Sequence, residues 1–449
     1  MDNQSSQFVF DRIKQFKDKD FMAWEDKIFS YSWLHNKIIY FDEVLKNKSI
    51  GAESIVGIDA DYSPSAIALI LALLKNNNII VPLTSAKGNQ KKEFAKIANA
   101  RYIFRFDEND KFSMQDTKAK PANELITRLI DAKEPGIILF SSGSTGKSKA
   151  ILHSLLKLIK KFEQQKYGLR TLVFLLLDHI GGINTLFYAI CNGGAIIYTR
   201  SRNPEDICRS IEKYKVELLP TTPTFLNLLI ISEQYKNYDL SSLKIISYGT
   251  EVMPQTTLKK IHEIFPDAKL QQTYGLSELG ILHSKSKDSD SLFMKVGGEG
   301  FETKIVDGKL WIRAQSAMLG YLNAKNPFES DNWLNTGDLV EKEGDYIRIL
   351  GRESEIINVG GQKAYPSEIE NILLQINNIK DAAVKGEKNP IIGNIVTARI
   401  NLYKDEPKDS VMARIKLFCK DKLEPYKIPI KIEISKEPLY GARFKRMRR

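Results

Sequence analysis

The chain has 449 residues, a formal net charge of +11, and 43% hydrophobic and 27% charged residues. Because single hydrophobic cores stop growing at about 250–300 residues, this length predicts a large domain and a smaller one. The composition is typical of a globular protein and excludes a disordered or fibrous chain. Lysines are scattered along the sequence rather than gathered into a basic stripe, so we expect no nucleic-acid partner.

The cysteines and the first residues indicate the compartment. Cys191, Cys208 and Cys419 are far apart, odd in number and without C-x-x-C spacing, which is typical of a reducing environment. The start "MDNQSSQFVF" is polar rather than signal-like, and the longest apolar run, residues 66–74, is half the length of a membrane span. We therefore predict a cytoplasmic protein without a membrane span.

Short apolar segments alternate with helix-like stretches from about residue 54. Predicted strands include "SIVGI", "NIIVPL", "RYIFRF", "GIILF", "LVFLLL", "VELLP" and "LKIISYG". Strands that are apolar on both faces and separated by helices predict parallel sheets covered on both sides. Near residue 280 the pattern becomes β-rich, as in "ETKIVDGKLWIRA" and "DYIRILG".

The pattern changes again after "GRESEI". "YPSEIENILLQI" predicts a helix that begins at Pro366, followed by the strands "DAAVKG" and "NIVTARINL" and a further helix near 410–422. The predicted fold class is therefore α/β. Residues 1–352 form a large domain of parallel βα sheets plus a β-rich subdomain, and residues 353–449 form a small α+β domain.

The stretch "FSSGSTGKSKA", residues 140–150, follows a predicted strand. It is not a P-loop, because that motif needs its first glycine at position 141, where Ser141 stands, while Gly143 comes two residues late. Its backbone amides, hydroxyls and lysines could still bind phosphate. A plain surface turn is the alternative interpretation.

Two other glycine turns carry polar side chains. "QQTYGLSELG" presents Tyr274 as a possible stacking ring, Ser277 as a hydroxyl and Glu278 as an oxygen ligand for Mg²⁺. "NTGDL" presents Asp338, whose carboxylate could accept two hydrogen bonds from a ribose diol. Each turn, taken alone, also fits an ordinary solvated loop.

Together and in this order, "FSSGSTGKSKA", "YGLSE", "NTGDL", "GRESE" and "FKR" resemble the motifs of the acyl-adenylate-forming (AMP-binding) enzymes. That superfamily includes acyl-CoA synthetases, adenylation domains and luciferases. Ser354, in place of the commoner aspartate in G-R-x-x, is similar to the o-succinylbenzoate CoA ligase-like branch. The chain departs from the usual motifs at Ser148 (usually proline), Ala150 (usually glycine) and Phe444 (usually glycine).

The resemblance implies a site for ATP and Mg²⁺. The phosphates would be bound by Ser141, Ser142, Gly143, Ser144, Thr145, Gly146 and Lys149. Glu278 would hold the metal, Ser277 would contact the α-phosphate, and Tyr274 would lie against adenine. Further nucleotide neighbours would be Gly249, Thr250, Glu251 and Gly275, with Asp338 and Arg352 on the ribose.

The resemblance also implies an acyl pocket beside "DHIGG", bordered by His179, Gly181 and Gly182, although His179 also fits a packed histidine at a strand end. Amino-acid-activating members carry an aspartate at the position of Ile180, so an aryl or fatty acid without an α-amine is expected. The C-terminal domain would be a mobile lid with its hinge near Ser354. Its Gly360 and Gly361 would help to form the thiol tunnel.

Lys445 is the expected C-terminal catalytic lysine, acting with Lys149, Ser277 and Glu278. The implied activity is that of an ATP-dependent acid–thiol ligase that forms acyl-AMP and transfers the acyl group to CoA. Two alternatives stay open: loading of a carrier-protein phosphopantetheine, and a degenerate member that binds nucleotide without completing the chemistry. The basic end "FKRMRR" suits either the 3′-phosphate of CoA or an acidic carrier helix.

Overall fold

The computed structural model describes residues 6–84, 88–142, 148–390, 393–441 and 444–448. The first part contains helices α1 (Gln7–Phe16), α2 (Tyr31–Asn47), α3 (Pro64–Lys75), α4 (Asn89–Ile97) and α5 (Glu124–Asp131). Its strands are β1 (Asp20–Trp24), β2 (Lys27–Ser30), β3 (Ile55–Asp59), β4 (Ile79–Pro82), β5 (Tyr102–Phe106), β6 (Phe112–Asp116) and β7 (Gly136–Ser142).

The second part continues the same alternation. Its strands are β8 (Ser148–Ser154), β9 (Thr171–Leu172), β10 (Ile196–Ile197), β11 (Leu218–Thr221), β12 (Ile245–Tyr248), β13 (Lys269–Gln272), β14 (Gly275–Leu276) and β15 (Gly280–Ile281). Its helices are α6 (Leu155–Ile159), α7 (Ile180–Asn192), α8 (Pro204–Tyr214), α9 (Pro223–Ser232) and α10 (Gln255–Ile264).

The remaining elements are mostly strands. They are β16 (Ser284–Ser286), β17 (Met294–Val296), β18 (Phe301–Val306), β19 (Lys309–Ala314), β20 (Gly320–Tyr321), β21 (Leu334–Glu343) and β22 (Tyr346–Arg352). After a 3₁₀ turn come β23 (Ile357–Val359), β24 (Gln362–Ala364), α11 (Pro366–Leu373), β25 (Ile379–Asn389), β26 (Gly393–Leu402), α12 (Lys408–Cys419) and β27 (Lys431–Ile434).

Two seven-stranded sheets form the larger part of the molecule, in the orders β13-β12-β11-β9-β10-β1-β2 and β20-β8-β7-β4-β3-β5-β6. Neighbours inside each sheet run parallel, whereas β2, β6, β8 and β20 pair antiparallel at the edges. A six-stranded sheet of β16–β19, β21 and β22 adds the β-rich subdomain. The predicted α/β fold class is confirmed.

Helix α3 explains the longest apolar run of the sequence. Ser63 caps its first turn by accepting a hydrogen bond from the Ala66 amide, and Pro64 takes the first helical position, where its missing N–H costs nothing. All side chains from Pro64 to Leu74 are buried, in a cluster that includes residues of both seven-stranded sheets. Each buried Leu or Ile contributes about 1.5–3 kcal/mol, so α3 is a core helix.

The predicted strand "LVFLLL" is largely wrong. Only Thr171–Leu172 joins the sheet as β9. The amide of Phe174 donates back to the carbonyl of Leu172, so the chain turns away from the ladder there. Phe174, Leu175 and Leu176 line a cavity instead of a sheet face, and Leu177 packs in the core.

The third sheet ends at Arg352 with β22, and the C-terminal sheet begins at Ile357 with β23. The C-terminal sheet has the order β24-β23-β26-β25, with β27 pairing β26 in parallel. Helices α11 and α12 pack on it around a separate core. Among the helices of the described ranges, none is both long enough and apolar enough to cross a bilayer.

Candidate active site

A cavity of about 1300 Å³ opens where the parallel strands of one seven-stranded sheet end. Its wall includes Thr221 and Thr222 at the end of β11, Gly249 after β12, and Thr273 and Gly275 after β13. The carboxyl ends of parallel strands are where α/β proteins bind ligands, because strand ends and turns place backbone and side-chain polar groups there.

Strands β7 and β8 bring two predicted phosphate ligands to this cavity. Ser141 lies opposite Lys149 in the antiparallel register, and both residues line the wall. Ser142 ends β7, and its side chain lies outside the described residues. Of the other predicted phosphate ligands, Gly143, Ser144, Thr145 and Gly146 also lie outside the described residues.

Glu278 and Ser277 line the cavity, and each makes a hydrogen bond with a residue outside the cavity wall. The hydroxyl of Tyr321 donates to Glu278 Oε1 over 2.6 Å, and the Lys149 ammonium lies 4.9 Å from the centroid of the Tyr321 ring. The Ser277 carbonyl is 2.7 Å from Nε2 of the buried His153, which fits a proton on that nitrogen. Tyr321 thus joins two predicted site residues.

Sequence reasoning missed Tyr321 because no motif contains it. The strand β20 that carries it pairs with β8, which carries Lys149, although the two strands are far apart in sequence. Burial, followed by the negative charge of Glu278, raises the pKa of the Tyr321 hydroxyl well above its ordinary value. Tyr321 is therefore a neutral hydrogen-bond donor that fixes the Glu278 carboxylate.

The donor set fits a magnesium ion that arrives with a nucleotide. Within the described residues, no three His, Cys, Asp or Glu side chains come together as a metal site. Mg²⁺ is commonly bound by one or two carboxylates together with substrate phosphates and waters, so the single carboxylate of Glu278 on the cavity wall is suited to that role.

Asp338 lies at the centre of a buried network. Its carboxylate accepts one hydrogen bond from the Tyr274 hydroxyl and another from Arg352 Nε over 3.1 Å. Burial raises the pKa of Asp338, and the Arg352 guanidinium offsets this rise only in part. Arg352 reaches the cavity wall, whereas the buried Tyr274 ring does not, so the ring differs from the open stacking face that the sequence suggested.

The turn after β12 supplies three predicted nucleotide neighbours. Gly249 is required by close packing, since a β-carbon there would lie 2.6 Å from Thr273 Oγ1. Thr250 has a φ of 71°, which is a strained conformation for a β-branched residue and is typical of functional sites. Both line the cavity, but the Glu251 carboxylate turns to Thr224 Oγ1, 2.6 Å away, and to the amide of Arg446.

The apolar wall contains two of the three predicted acyl-pocket residues, His179 and Gly181, but not Gly182. His179 caps helix α7, its Nδ1 accepting a hydrogen bond from the Gly181 amide over 3.1 Å, and both residues line the cavity. Phe174 extends this wall. Gly182 is a packing glycine, because a β-carbon there would lie 2.0 Å from the carbonyl oxygen of Leu176.

Residues 444–448, called here the C-terminal tail, close the cavity from the other side. Lys445 lies on the wall, where burial in the cleft and the nearby Arg352 guanidinium lower the pKa of its ammonium group. The Arg446 guanidinium bonds Glu370 over 3.1 Å and Asp381 over 2.8 Å, and Arg448 also bonds Glu370. Arg446 and Arg448 are therefore paired with carboxylates in this arrangement, and the expectation that "FKRMRR" meets CoA or a carrier helix stays a prediction.

The remaining predicted lid residues divide between two places. Ser354 lies on the cavity wall, within the 3₁₀ turn between the six-stranded sheet and the C-terminal sheet. Gly360 and Gly361 form the exposed β23–β24 turn, with φ values of 58° and 87° that favour glycine. This turn is not part of the cavity wall in the present arrangement.

Comparison with known proteins agrees with this geometry. A family model described as AMP-binding enzyme matches residues 9–322, and one described as AMP-binding enzyme C-terminal domain matches residues 368–440. An uncharacterised acyl–CoA ligase of Bacillus subtilis is 30% identical over 71% of this chain and 68% of its own length.

Other relatives match over shorter ranges. The 4-coumarate–CoA ligase-like 9 protein of Arabidopsis thaliana is 30% identical over 57% of this chain and 51% of its own length. The indoleacetate–CoA ligase of Aromatoleum aromaticum is 26% identical over 67% of this chain and 63% of its own. The chain thus spans between half and two thirds of these two curated relatives.

Among solved structures, an anthranilate CoA ligase in complex with anthranoyl-AMP superposes with a TM-score of 0.84. It is 19% identical, and the match covers 98% of this chain and 95% of that one. At this identity the similarity shows that the two chains share a fold.

Proposed function

The chain belongs to the AMP-binding enzyme family, and from that premise we propose that it is an AMP-forming ligase that activates a carboxylic acid and transfers the acyl group to CoA. One observation carries the proposal: Lys149, Ser277, Glu278 and Lys445 line the same cavity. These residues come from widely separated segments, and together they offer positive charge and a hydroxyl for phosphate and a carboxylate for Mg²⁺.

In the proposed first step, a carboxylate oxygen of the acid attacks the α-phosphorus of ATP. A bond forms between that oxygen and phosphorus, the bond to the leaving pyrophosphate breaks, and acyl-AMP results. The attacking carboxylate is already ionised, so no general base is needed. Lys149 and Lys445 neutralise charge on the phosphates, Ser277 donates a hydrogen bond to them, and the enclosed cavity orients the two reactants. Mg²⁺, when bound with the nucleotide, neutralises further phosphate charge.

In the proposed second step, the CoA thiol releases its proton to solvent and its sulfur attacks the acyl carbon. The thioester bond forms and the bond to AMP breaks. The present arrangement suits the first step, because Lys445 lies on the cavity wall while the Gly360–Gly361 turn faces solvent. We propose that the C-terminal sheet rotates about the turn at 353–355 between the two steps.

The apolar wall supports an acid without an α-ammonium group. Phe174, Leu175, Leu176 and Ile180 line the cavity, whereas Asp178 is buried. Among the described residues, this apolar part of the wall presents no carboxylate to an ammonium group, and burying an unpaired charge is costly. The names of the relatives include aryl and long-chain acids, so we propose an aryl or fatty acid.

The test is acid-dependent exchange between ATP and pyrophosphate over aryl, medium-chain, long-chain and α-amino acids. CoA and a phosphopantetheine-bearing carrier protein are then compared as acceptors for the best acid. We expect exchange with one aryl or fatty class, none with amino acids, and a CoA thioester as product. Exchange with amino acids, or transfer to the carrier protein alone, would contradict the proposal, and no exchange with any acid would favour a non-catalytic nucleotide-binding role.

A further inference from the structure

Phe444 attaches the C-terminal tail to the N-terminal part of the molecule. Its ring centroid lies 5.1 Å from that of Phe174 and 5.9 Å from that of Phe225, both of which belong to the core around β11 and β12. The Phe444 carbonyl accepts a hydrogen bond from Thr222 Oγ1 over 2.9 Å. The ring also stacks on Tyr440 of its own segment, with centroids 5.4 Å apart.

The backbone at this position favours glycine rather than phenylalanine. Phe444 has a φ of 49°, in the left-handed region that bulky residues rarely adopt. Its amide donates to the Gly441 carbonyl, and the Gly441 amide donates to the Lys445 carbonyl. The surrounding contacts hold this strained conformation: the packing of the ring, and the backbone hydrogen bonds of Phe444 with Thr222 and Gly441.

Arg446 attaches the other end of the tail to the C-terminal sheet. Its guanidinium bonds Glu370 on α11 and Asp381 on β25, and its side chain is only 8% exposed. Lys445 therefore stands between a ring fixed in the N-terminal part and a cation fixed in the C-terminal domain. The position of its ammonium group depends on both attachments.

We propose that Phe444 is a positioning residue that docks against the adjoining rings of Phe174 and Phe225 to hold Lys445 in the cavity for acid activation. This inference rests on the proposed function, because it assigns the ring to the first of the two half-reactions. The ring must leave its site when the C-terminal domain rotates for thioester formation. Its removal therefore weakens the first half-reaction and leaves the second unimpaired.

The docking itself is tested without substrate. Hydrogen–deuterium exchange of peptides covering 438–449 and 218–226 is compared in the wild type, Phe444→Gly and Phe444→Tyr. Glycine adopts the same φ without strain but lacks the ring, whereas tyrosine keeps the ring. We expect about tenfold faster exchange of both segments in Phe444→Gly, since the two ring contacts to the N-terminal part are lost, and wild-type protection in Phe444→Tyr.

The consequence for catalysis is tested on each half-reaction separately. Acid-dependent ATP–pyrophosphate exchange should fall about tenfold in Phe444→Gly and recover in Phe444→Tyr, while conversion of supplied acyl-AMP and CoA to thioester stays equal or becomes faster. An unchanged melting temperature of Phe444→Gly shows that the fold is intact.

Three results would overturn the inference. The first is wild-type tail protection in Phe444→Gly, whatever its activity. The second is faster deuterium exchange of the tail in Phe444→Gly together with an unchanged rate of ATP–pyrophosphate exchange. The third is an equal loss in both half-reactions. If the wild type activates no acid, the proposed function fails, but the deuterium-exchange comparison still decides whether the ring docks the tail.

Discussion

The two sides of the cavity are built in different ways. On the N-terminal side, Glu278 on the wall and the buried Asp338, which bonds Arg352 on the wall, are each fixed by a tyrosine hydroxyl, from Tyr321 and Tyr274 respectively. On the C-terminal side, Lys445 stands on a short tail. The first side is preorganised by the core of the fold, whereas in the proposed function the second depends on the position of the C-terminal domain.

This difference separates two tasks of an adenylate-forming site. Fixed dipoles and charges stabilise a transition state well because they need no reorganisation during the reaction. A cation that must give way to a thiol in the next step has to be removable. The comparison therefore predicts that changes on the N-terminal side impair the chemistry itself, and that changes in the tail impair the arrangement of the domains.

The largest effect is expected for Glu278→Gln. The substitution keeps the shape of the side chain but removes the charge proposed to hold Mg²⁺, so acid-dependent ATP–pyrophosphate exchange should fall by about 10²–10³. Glu299→Gln, on an exposed turn outside the cavity wall, is the matched control and should leave the rate unchanged. If the exchange rate of Glu278→Gln stayed within twofold of the wild type, the proposed role of Glu278 in holding Mg²⁺ would be contradicted.

A loss of stability is expected for Arg446→Leu. The substitution leaves the buried Asp381 without its cation and the buried Glu370 with Arg448 alone, and breaking a buried ion pair costs about 3–5 kcal/mol. Urea denaturation of the full chain measures this loss in the free energy of unfolding. The matched control is Arg313→Leu, whose pair with Glu302 is exposed and should contribute no more than about 1 kcal/mol. Equal losses of unfolding free energy in the two variants would contradict a stabilising role for the buried ion pairs of Arg446.

A smaller effect is expected for Tyr321→Phe. The Glu278 carboxylate loses one hydrogen bond, and a bond to a charged group is worth about 1.5 kcal/mol, so the exchange rate should fall about tenfold. The exposed Tyr403→Phe is the control. If Tyr321→Phe exchanged as fast as the wild type, Glu278 would be positioned by other contacts.

The smallest effect concerns the alkaline limb of the pH profile. Burial in the cleft and Arg352 lower the pKa of Lys445 below 10.5, so its charge is lost as the pH rises through that lowered value. The exchange rate should therefore decline at a pH below 10.5. In Lys445→Arg the remaining activity should lose this limb, because a guanidinium stays protonated. An identical limb in both proteins would assign it to another group.

The strands and the glycine turns could be predicted from sequence because their signals are local. Apolar segments mark β3, β4 and β7, and each glycine turn carries its polar residues within a few positions. The comparisons confirm the family that these turns indicated. The roles assigned to individual residues stay predictions.

Tyr321 and Arg446 could not be found in this way. Each acts through partners that are distant in the chain and meet it only in the folded state. A run of basic residues at a chain end also resembles a solvated patch, and only the fold shows that Glu370 and Asp381 are buried beneath it. Local patterns carry no information about such pairings.

The most direct test of the account compares the two half-reactions in the wild type and Lys445→Ala. If the tail serves acid activation, ATP–pyrophosphate exchange should fall by about 10²–10³, while thioester formation from supplied acyl-AMP and CoA should stay near the wild-type rate. Equal rates of exchange in the two proteins, or an equal loss in both half-reactions, would contradict the role given to the tail.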